Sequence, residues 1–274
     1  MWKSAVIACS CALAAVAAHY ENPIWSPDGK SIVFVMKTDE SDWNIYRANE
    51  DGSNIHQLTQ GSAWDPAWSP DAKSIAFVSI VDGTRQISAM SADGLNVRLL
   101  TAGPSWHFHP AFSPDGSRVA LSATENGSSQ IVVMDSNRKN PKPVTPPDQR
   151  CRWPAWSPGG KRIAYWVQGA PASEIWQVDL ETLERTRLFD SGLSATTLDW
   201  SADGKQIVFT RQNGKETGID ILNLETHQAR RVLSAEMVSG QPRFSPDGRQ
   251  ILFSTNAGIA ILDLKSSGVR VVLH

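Results

Sequence analysis

One short motif recurs six times in the sequence, at intervals of 43 or 44 residues. It approximates Pro-x-Trp-Ser-Pro-Asp-Gly-Lys, as at residues 23–30 and again, with Phe in place of Trp, at residues 242–249. We call its aromatic position the motif aromatic, and it is occupied by Trp25, Trp68, Phe112, Trp156, Trp200 and Phe244. A fixed period of this length means that one structural unit is copied along the chain.

Each repeat contains four short apolar segments separated by turn residues. In the first repeat one of them is Ile32-Val33-Phe34-Val35, and the corresponding segment of the fifth is Ile207-Val208-Phe209-Thr210. Segments that are this short, rich in β-branched and aromatic residues, and bounded by Gly, Pro, Asp or Asn are typical of strands. Four strands in 43 to 44 residues match one propeller blade. We therefore predict an all-β fold, a six-bladed β-propeller with four antiparallel strands per blade, over residues 19–274.

The Ser-Pro-Asp-Gly part of the motif predicts a tight hairpin turn between the first two strands of each blade. Proline presets φ, the Asp side chain bonds the local backbone, and glycine adopts positive φ. We interpret the motif aspartates as turn residues rather than as a ring of cation ligands: Asp28, Asp71, Asp115, Asp203 and Asp247. The motif aromatics are expected to pack between neighbouring blades, where a flat ring buries about 150 Å² or more.

Basic side chains mark the fourth segment of most repeats. In a propeller this segment is the outermost strand, and charge on a free edge opposes pairing with another chain. The residues are Arg98, Lys142, Arg187, Arg231 and Arg270. With a formal net charge of −2, the chain has no electrostatic attraction to nucleic acid or to an anionic membrane. The sequence favours a monomer with no nucleic-acid partner.

The first 18 residues have the pattern of a secretory signal peptide. Lys3 precedes an uncharged stretch, Ser4 to Ala18, that is too short to span a membrane, and Ala15-Val16-Ala17 forms a cleavage-type site. This pattern predicts export to the periplasm without a stable membrane span. Two alternatives stay open. Residues 6–9, Val-Ile-Ala-Cys, resemble a lipobox, and the segment could be the remnant of an upstream domain.

Cysteines and sequence motifs give little sign of catalysis. Removal of a signal peptide would take away Cys9 and Cys11, leaving Cys151 alone, so no intramolecular disulfide or thiolate metal site is expected. The sequence contains no Gly-x-Ser-x-Gly elbow, no His-Glu-x-x-His and no Walker loop. We predict no cofactor and no metal.

The candidate site lies in the residues that precede each motif. They are expected to form loops around the mouth of the central channel, and they vary from blade to blade. Aromatic side chains next to arginine are typical of protein-binding hot spots. We predict that a partner contacts Tyr20, Glu21, Trp64, Asp65, Trp106, His107, Phe108, His109, Arg152 and Trp153. As an alternative, His107 and His109, which would share one face of an extended strand, could hold a metal together with Glu21 and Asp65.

The repeated motif, with runs such as Ile75-Ala76-Phe77-Val78 and endings such as Leu58-Thr59 and Leu100-Thr101, resembles the WD-like propeller repeat of the TolB family. The resemblance covers essentially all of the chain after residue 18. It implies a six-bladed propeller in the periplasm that binds a peptidoglycan-associated lipoprotein as part of the Tol-Pal envelope system. That family also carries an α/β domain before the propeller, for which this sequence has no room.

Two functions follow as expectations. The first is a non-enzymatic exported propeller that binds a protein or peptide of the cell envelope. The alternative is a propeller enzyme, such as a lyase, a lactonase or a glycan-processing hydrolase, with its site at the channel mouth. Propeller sites draw one or two residues from each blade, so the absence of linear motifs discriminates weakly between them.

Overall fold

The computed structural model describes residues 18–38, 42–169, 173–190, 194–213, 216–234 and 238–274. These residues form six antiparallel sheets of four consecutive strands each, which we number as blades 1 to 6. Blades 1 to 3 contain β1 (Ala18–Trp25), β2 (Ser31–Thr38), β3 (Asn44–Asn49), β4 (His56–Gln57), β5 (Ala63–Trp68), β6 (Ser74–Val81), β7 (Thr84–Ser91), β8 (Arg98–Leu99), β9 (Trp106–Phe112), β10 (Arg118–Glu125), β11 (Ser128–Asp135) and β12 (Lys142–Pro143).

Blades 4 to 6 repeat the same order. They contain β13 (Cys151–Trp156), β14 (Arg162–Val167), β15 (Glu174–Asp179), β16 (Arg185–Asp190), β17 (Ser194–Trp200), β18 (Gln206–Asn213), β19 (Glu216–Asn223), β20 (Gln228–Ser234), β21 (Val238–Phe244), β22 (Gln250–Thr255), β23 (Gly258–Asp263) and β24 (Val269–Leu273). The first strand of each blade contacts the first strand of the next, and β21 contacts β1. The predicted six-bladed propeller is confirmed.

The hydrophobic core consists of layers between adjacent blades, and each layer contains one motif aromatic. Trp200, for example, lies in one apolar cluster with Trp166 of blade 4 and Phe209 of blade 5. Trp156 Nε1 donates to the Ala111 carbonyl of the preceding blade at 3.0 Å. The motif aromatics therefore join neighbouring blades, as predicted.

The motif turns have the predicted chemistry. In blade 1, the Ser26 hydroxyl donates to Asp28 Oδ1 at 2.6 Å, and the Lys30 backbone N–H donates to the same oxygen at 3.1 Å. These two donors hold the pKa of the Asp28 carboxyl below its usual value. The serine and aspartate pair recurs in blades 2, 3, 5 and 6. The carboxylates are therefore engaged in hydrogen bonds within the turns, as predicted.

Blades 1 and 6 close the ring without sharing a strand between them. Trp25 shares an apolar cluster with Leu252 and Ile261 of blade 6. Hydrogen bonds add to this packing, because Tyr20 Oη donates to the carbonyl of His274 at 2.7 Å. Closure thus combines an apolar layer with polar contacts.

The described part of the chain contains no helix long and apolar enough to cross a membrane. The predicted signal peptide, apart from Ala18, lies outside the described residues. Ala18 begins β1.

Candidate functional site

The residues predicted as loops before each motif belong to the first strand of each blade. For example, residues 19–22 lie in β1 and residues 151–153 lie in β13. Each of these strands contains a β-bulge in its middle, seen as a shift of register against its neighbour. The expectation of loops was therefore wrong, because the chain at the mouth is already paired with the second strand.

One residue at each bulge has positive φ although it is not glycine. The φ angles lie between +42° and +56°, at Asn22, Asp65, His109, Trp153, Thr197 and Gln241. Positive φ is unusual for bulky and β-branched residues such as Trp153 and Thr197. Bulges redirect side chains and are common next to functional sites. We call these six positions the bulge ring.

The bulge ring forms a chain of polar contacts across the blades. Gln241 Oε1 accepts from the Asn22 backbone N–H at 3.0 Å, and Asn22 Nδ2 donates to Asp65 Oδ1 at 3.1 Å. The His109 backbone N–H donates to Asp65 Oδ2 at 3.2 Å. The ring of Trp153 lies 4.7 Å from that of His109, centroid to centroid. Neighbouring blades thus hold each other's side chains in place at the channel.

Below the bulge ring lies the central channel, a cavity of about 390 Å³. Its wall is mainly the motif aromatics and the prolines of the motif turns, with a few polar groups among them. Two of those polar groups, Asp199 and Arg243, occupy the position just before the motif aromatic, where Ala155 stands in blade 4. Asp199 Oδ2 accepts from the Phe244 N–H at 3.0 Å, and Arg243 Nη1 donates to the Leu198 carbonyl at 2.7 Å.

A smaller cavity of about 200 Å³ opens at the mouth, and we call it the mouth pocket. Blades 1 to 4 supply its lining, which is Glu21, Asn22, Trp64, Asp65, Val78, Arg85, Phe108, His109 and Arg152. Six of the ten residues predicted from the sequence lie here. The pocket combines aromatic surface with both acidic and basic groups.

The electrostatics of the channel disfavour charge on its histidine and on two of its acids. Burial lowers the pKa of His109 to about 4, assisted by Arg152, Arg243 and Arg85 and opposed by Asp65. His109 is therefore neutral at pH 7. Burial raises the pKa of Asp199, with Arg243 opposing. Burial and then Asp65 raise the pKa of Glu21. In all three groups the main cause is burial, because a charged side chain loses its surrounding water in a narrow space.

Four of the ten predicted residues lie outside the mouth pocket. Tyr20 is buried in the layer between blades 6 and 1, with its ring 5.9 Å from that of Phe34. Trp153 lines the channel and packs on the core between blades 4 and 5. His107 Nδ1 bonds Gln86 Oε1 at 2.9 Å, and Trp106 is 46% exposed at the rim.

The structure brings together only part of the side-chain set considered for a metal ion. His109 Nε2 lies 3.7 Å from Asp65 Oδ2. The bulge at His109 interrupts the alternation that would have placed His107 on the same face. Within the described ranges, no group of three or more His, Cys, Asp or Glu side chains is arranged to hold a metal ion.

Sequence reasoning missed Arg85, Asn22, Asp199 and Arg243. Asn22 lies in a segment before a motif but was not among the predicted contacts. Arg85 lies outside those segments, and the hairpin between β6 and β7 returns to the same end of the blade and brings it to the mouth. Asp199 and Arg243 could have been found, because they are charged residues at a motif position that is apolar in the other four blades.

The six blades around a central channel make this protein a six-bladed β-propeller. Its candidate site lies at the channel mouth, where the first strands of the blades differ from one another. The family model of the TolB beta propeller domain matches residues 10–109 and 104–269. The chain belongs to the TolB beta propeller domain family.

Solved structures show the same fold at low sequence identity. TolB from Acinetobacter baumannii superposes with a TM-score of 0.74 at 23% identity, over 93% of this chain and 62% of that one. A TolB candidate from Agrobacterium tumefaciens gives 0.71 at 22%, over 84% and 87%. Oligogalacturonate lyase from Vibrio parahaemolyticus gives 0.62 at 15%, over 93% of each chain. The chain thus spans less than two thirds of the Acinetobacter TolB. No significant match was found among curated protein sequences.

Proposed function

We propose that this protein is an exported, non-catalytic propeller that binds a segment of a cell-envelope protein or peptide at the channel mouth. The observation that carries the proposal is the composition of the mouth pocket, where Trp64, Phe108, Arg85 and Arg152 line one cavity. Trp and Arg are enriched among residues that dominate protein–protein binding energy. A short peptide segment fits the size of this cavity better than a folded surface does.

Family membership supports the cellular setting of the proposal. The TolB family resemblance implies the periplasm and a peptidoglycan-associated lipoprotein as partner. The signal-type pattern of residues 1–18 agrees with export. We propose a periplasmic location, action as a monomer, and a lipoprotein of this class as the first partner to examine.

The proposal is tested by comparing two exposed apolar side chains. Trp106 lies at the rim of the mouth and is 46% exposed, whereas Leu95 is 63% exposed in the turn between β7 and β8. Purified Trp106→Ala, Leu95→Ala and the unaltered protein are used to capture partners from a periplasmic and outer-membrane extract. We expect Trp106→Ala to lose the captured protein and Leu95→Ala to keep it. Equal capture by both variants would contradict recognition at the mouth.

One observation favours the enzyme alternative. His109 is uncharged at pH 7 and its Nε2 lies 3.7 Å from the carboxylate of Asp65, a pairing that can orient an imidazole for proton transfer, although the lowered pKa makes it a weak base. Oligogalacturonate lyase shares the fold, although likeness at 15% identity concerns the fold alone. Elemental analysis of purified protein and an absorbance assay for unsaturated oligosaccharide products distinguish the two functions. A bound divalent ion or product formation abolished by His109→Gln would favour the enzyme.

A further inference from the structure

Arg85 is surrounded by aromatic rings from two blades. Its guanidinium carbon lies 5.0 Å from the ring centroid of Trp64, 5.7 Å from that of Trp106 and 5.3 Å from that of Phe108. Trp64 belongs to blade 2, as Arg85 does, and the other two rings belong to blade 3. Each contact places the cation near an aromatic ring, whose electrons attract it, and uses no hydrogen bond from the guanidinium to an oxygen. The N–H groups, which lie in the plane of the guanidinium, remain for another partner.

Arg85 forms no ion pair with an acidic side chain in the described ranges. Within the residues that the structure describes, no hydrogen bond or ion pair involves the side chain of Arg85, and the same holds for Arg152 across the mouth pocket. Both residues are half-buried. A partly desolvated guanidinium without an anionic partner is a favourable place for an anion to bind.

Two acids, Asp65 and Glu21, line the pocket with Arg85. Asp65 accepts from Asn22 Nδ2 and from the backbone N–H of His109. Burial and the charge of Asp65 raise the pKa of Glu21, which disfavours further negative charge on the blade 1 side of the pocket. On the opposite side, burial and then the charge of Arg150 lower the pKa of Arg152. Asp65 and Glu21 line the same pocket, but among the described residues neither forms an ion pair with Arg85 or Arg152, so the N–H groups of both guanidiniums stay available to a ligand.

We propose that the mouth pocket binds a carboxylate group of a peptide, with Arg85 as the main donor and Arg152 as the second. The inference rests on the proposed function and specifies the chemistry that the partner segment must carry. A guanidinium packed among aromatic rings carries its donors in a planar fork that matches the two oxygens of a carboxylate. The carboxylate belongs either to an acidic side chain or to a C-terminus of the bound peptide.

The test uses small probes that separate these two sources. N-acetyl-glutamic acid α-amide carries only a side-chain carboxylate, and N-acetyl-alanine carries only a main-chain carboxylate. Their uncharged counterparts are N-acetyl-glutamine α-amide and N-acetyl-alanine amide. Binding is followed by NMR through the indole N–H signals of Trp64 and Trp106, assigned with Trp→Phe variants. We expect at least one carboxylate probe to bind tenfold or more tightly than its amide counterpart.

Variants locate the effect. We expect Arg85→Gln to weaken the preferred probe tenfold or more, and Arg98→Gln, an exposed arginine on the outer strand β8, to leave its affinity within twofold. Should Arg85→Gln fail to fold, Arg152→Gln serves with an expected loss of threefold or more. Equal binding of carboxylate and amide probes, or full affinity in Arg85→Gln and Arg152→Gln, overturns the inference.

Failure of this inference is distinguishable from failure of the proposed function. If Arg85→Gln still captures the envelope protein that Trp106→Ala loses, the mouth recognises a partner but not through a carboxylate. If the carboxylate probes bind but capture is the same for Trp106→Ala and Leu95→Ala, the mouth pocket does bind carboxylates and the proposed function is wrong.

Discussion

His109 and Asp65 face each other across the boundary between blades 2 and 3, with 3.7 Å between His109 Nε2 and Asp65 Oδ2. Their pairing does not keep the imidazole charged. Burial outweighs the attraction of the carboxylate, and three arginines add repulsion, so that the pKa of His109 falls to about 4. The bulge ring thus holds a neutral histidine in a polar setting, and this has a measurable consequence.

The first prediction concerns stability in acid. In the unfolded chain His109 takes up a proton near pH 6.5, whereas in the folded protein it does so only near pH 4. The unfolded state therefore binds more protons between these values, so folding stability falls as the pH drops from 6.5 to 4. The contribution is about 3 kcal/mol. Chemical denaturation at pH 7 and pH 4 measures it.

Replacing the histidine isolates this effect. We expect His109→Gln to lose less stability between pH 7 and pH 4 than the unaltered protein does. His56→Gln, which removes an exposed imidazole on β4, serves as control and should show the original pH dependence. The same pH dependence in both variants would show that His109 is not held neutral.

A second prediction concerns ring closure. Tyr20→Phe removes the bond from Tyr20 Oη to the carbonyl of His274 and keeps the ring between blades 6 and 1. We expect a loss of about 1 kcal/mol in the free energy of unfolding. Tyr46→Phe is the matched control, since the ring of Tyr46 also stacks on Phe34, at 5.9 Å, and it should change stability by less than about 0.5 kcal/mol. Urea titration of both variants decides the outcome.

A third prediction uses two motif turns that differ at one position. Gly116 has a φ of +71°, and a Cβ there would lie 3.3 Å from Pro70 Cγ in the neighbouring turn. Ala72 occupies the corresponding position in blade 2 with a φ of +56°. We expect Gly116→Ala to destabilise by about 1 to 2 kcal/mol and Ala72→Gly to be neutral or to stabilise by up to about 1 kcal/mol. If thermal unfolding showed that Gly116→Ala stabilises the protein and Ala72→Gly destabilises it, the left-handed turn geometry would be contradicted.

A fourth prediction compares two motif tryptophans. Trp156 Nε1 donates to the Ala111 carbonyl, whereas Trp68 Nε1 is buried with no hydrogen-bond partner among the described residues. Replacement by Phe leaves the Ala111 carbonyl without its donor in one case and removes an unsatisfied donor in the other. We expect Trp156→Phe to cost about 1 kcal/mol more than Trp68→Phe. Equal losses in denaturant titrations would show that the indole bond contributes little.

Much of the fold could be predicted because its signals are local. The Ser26 to Asp28 turn is formed by residues within one motif, and the four strands of each blade follow each other directly in the chain. The bulge ring was not predicted. A single shift of register leaves only a weak trace in sequence. The one regular feature is positional: the residue with positive φ lies directly before the first position of every motif.

The candidate site was predicted in part. Trp64, Phe108 and Arg152 do line the mouth pocket, because residues before the motif must reach that end of each blade. Tyr20 instead packs between blades, since the last blade covers it. Nothing in the local sequence distinguishes these two outcomes.

The sequence alone determined the number of blades, the strand order and the turn chemistry, since each depends on residues that are neighbours along the chain and is repeated six times. Only the tertiary structure decided that Arg85 meets Trp106 and Phe108, and that Asp199 accepts from the backbone of Phe244. Those contacts cross from one blade to the next, so they depend on the angle and distance at which complete blades pack. That geometry is set by the whole apolar layer between blades, not by any one motif.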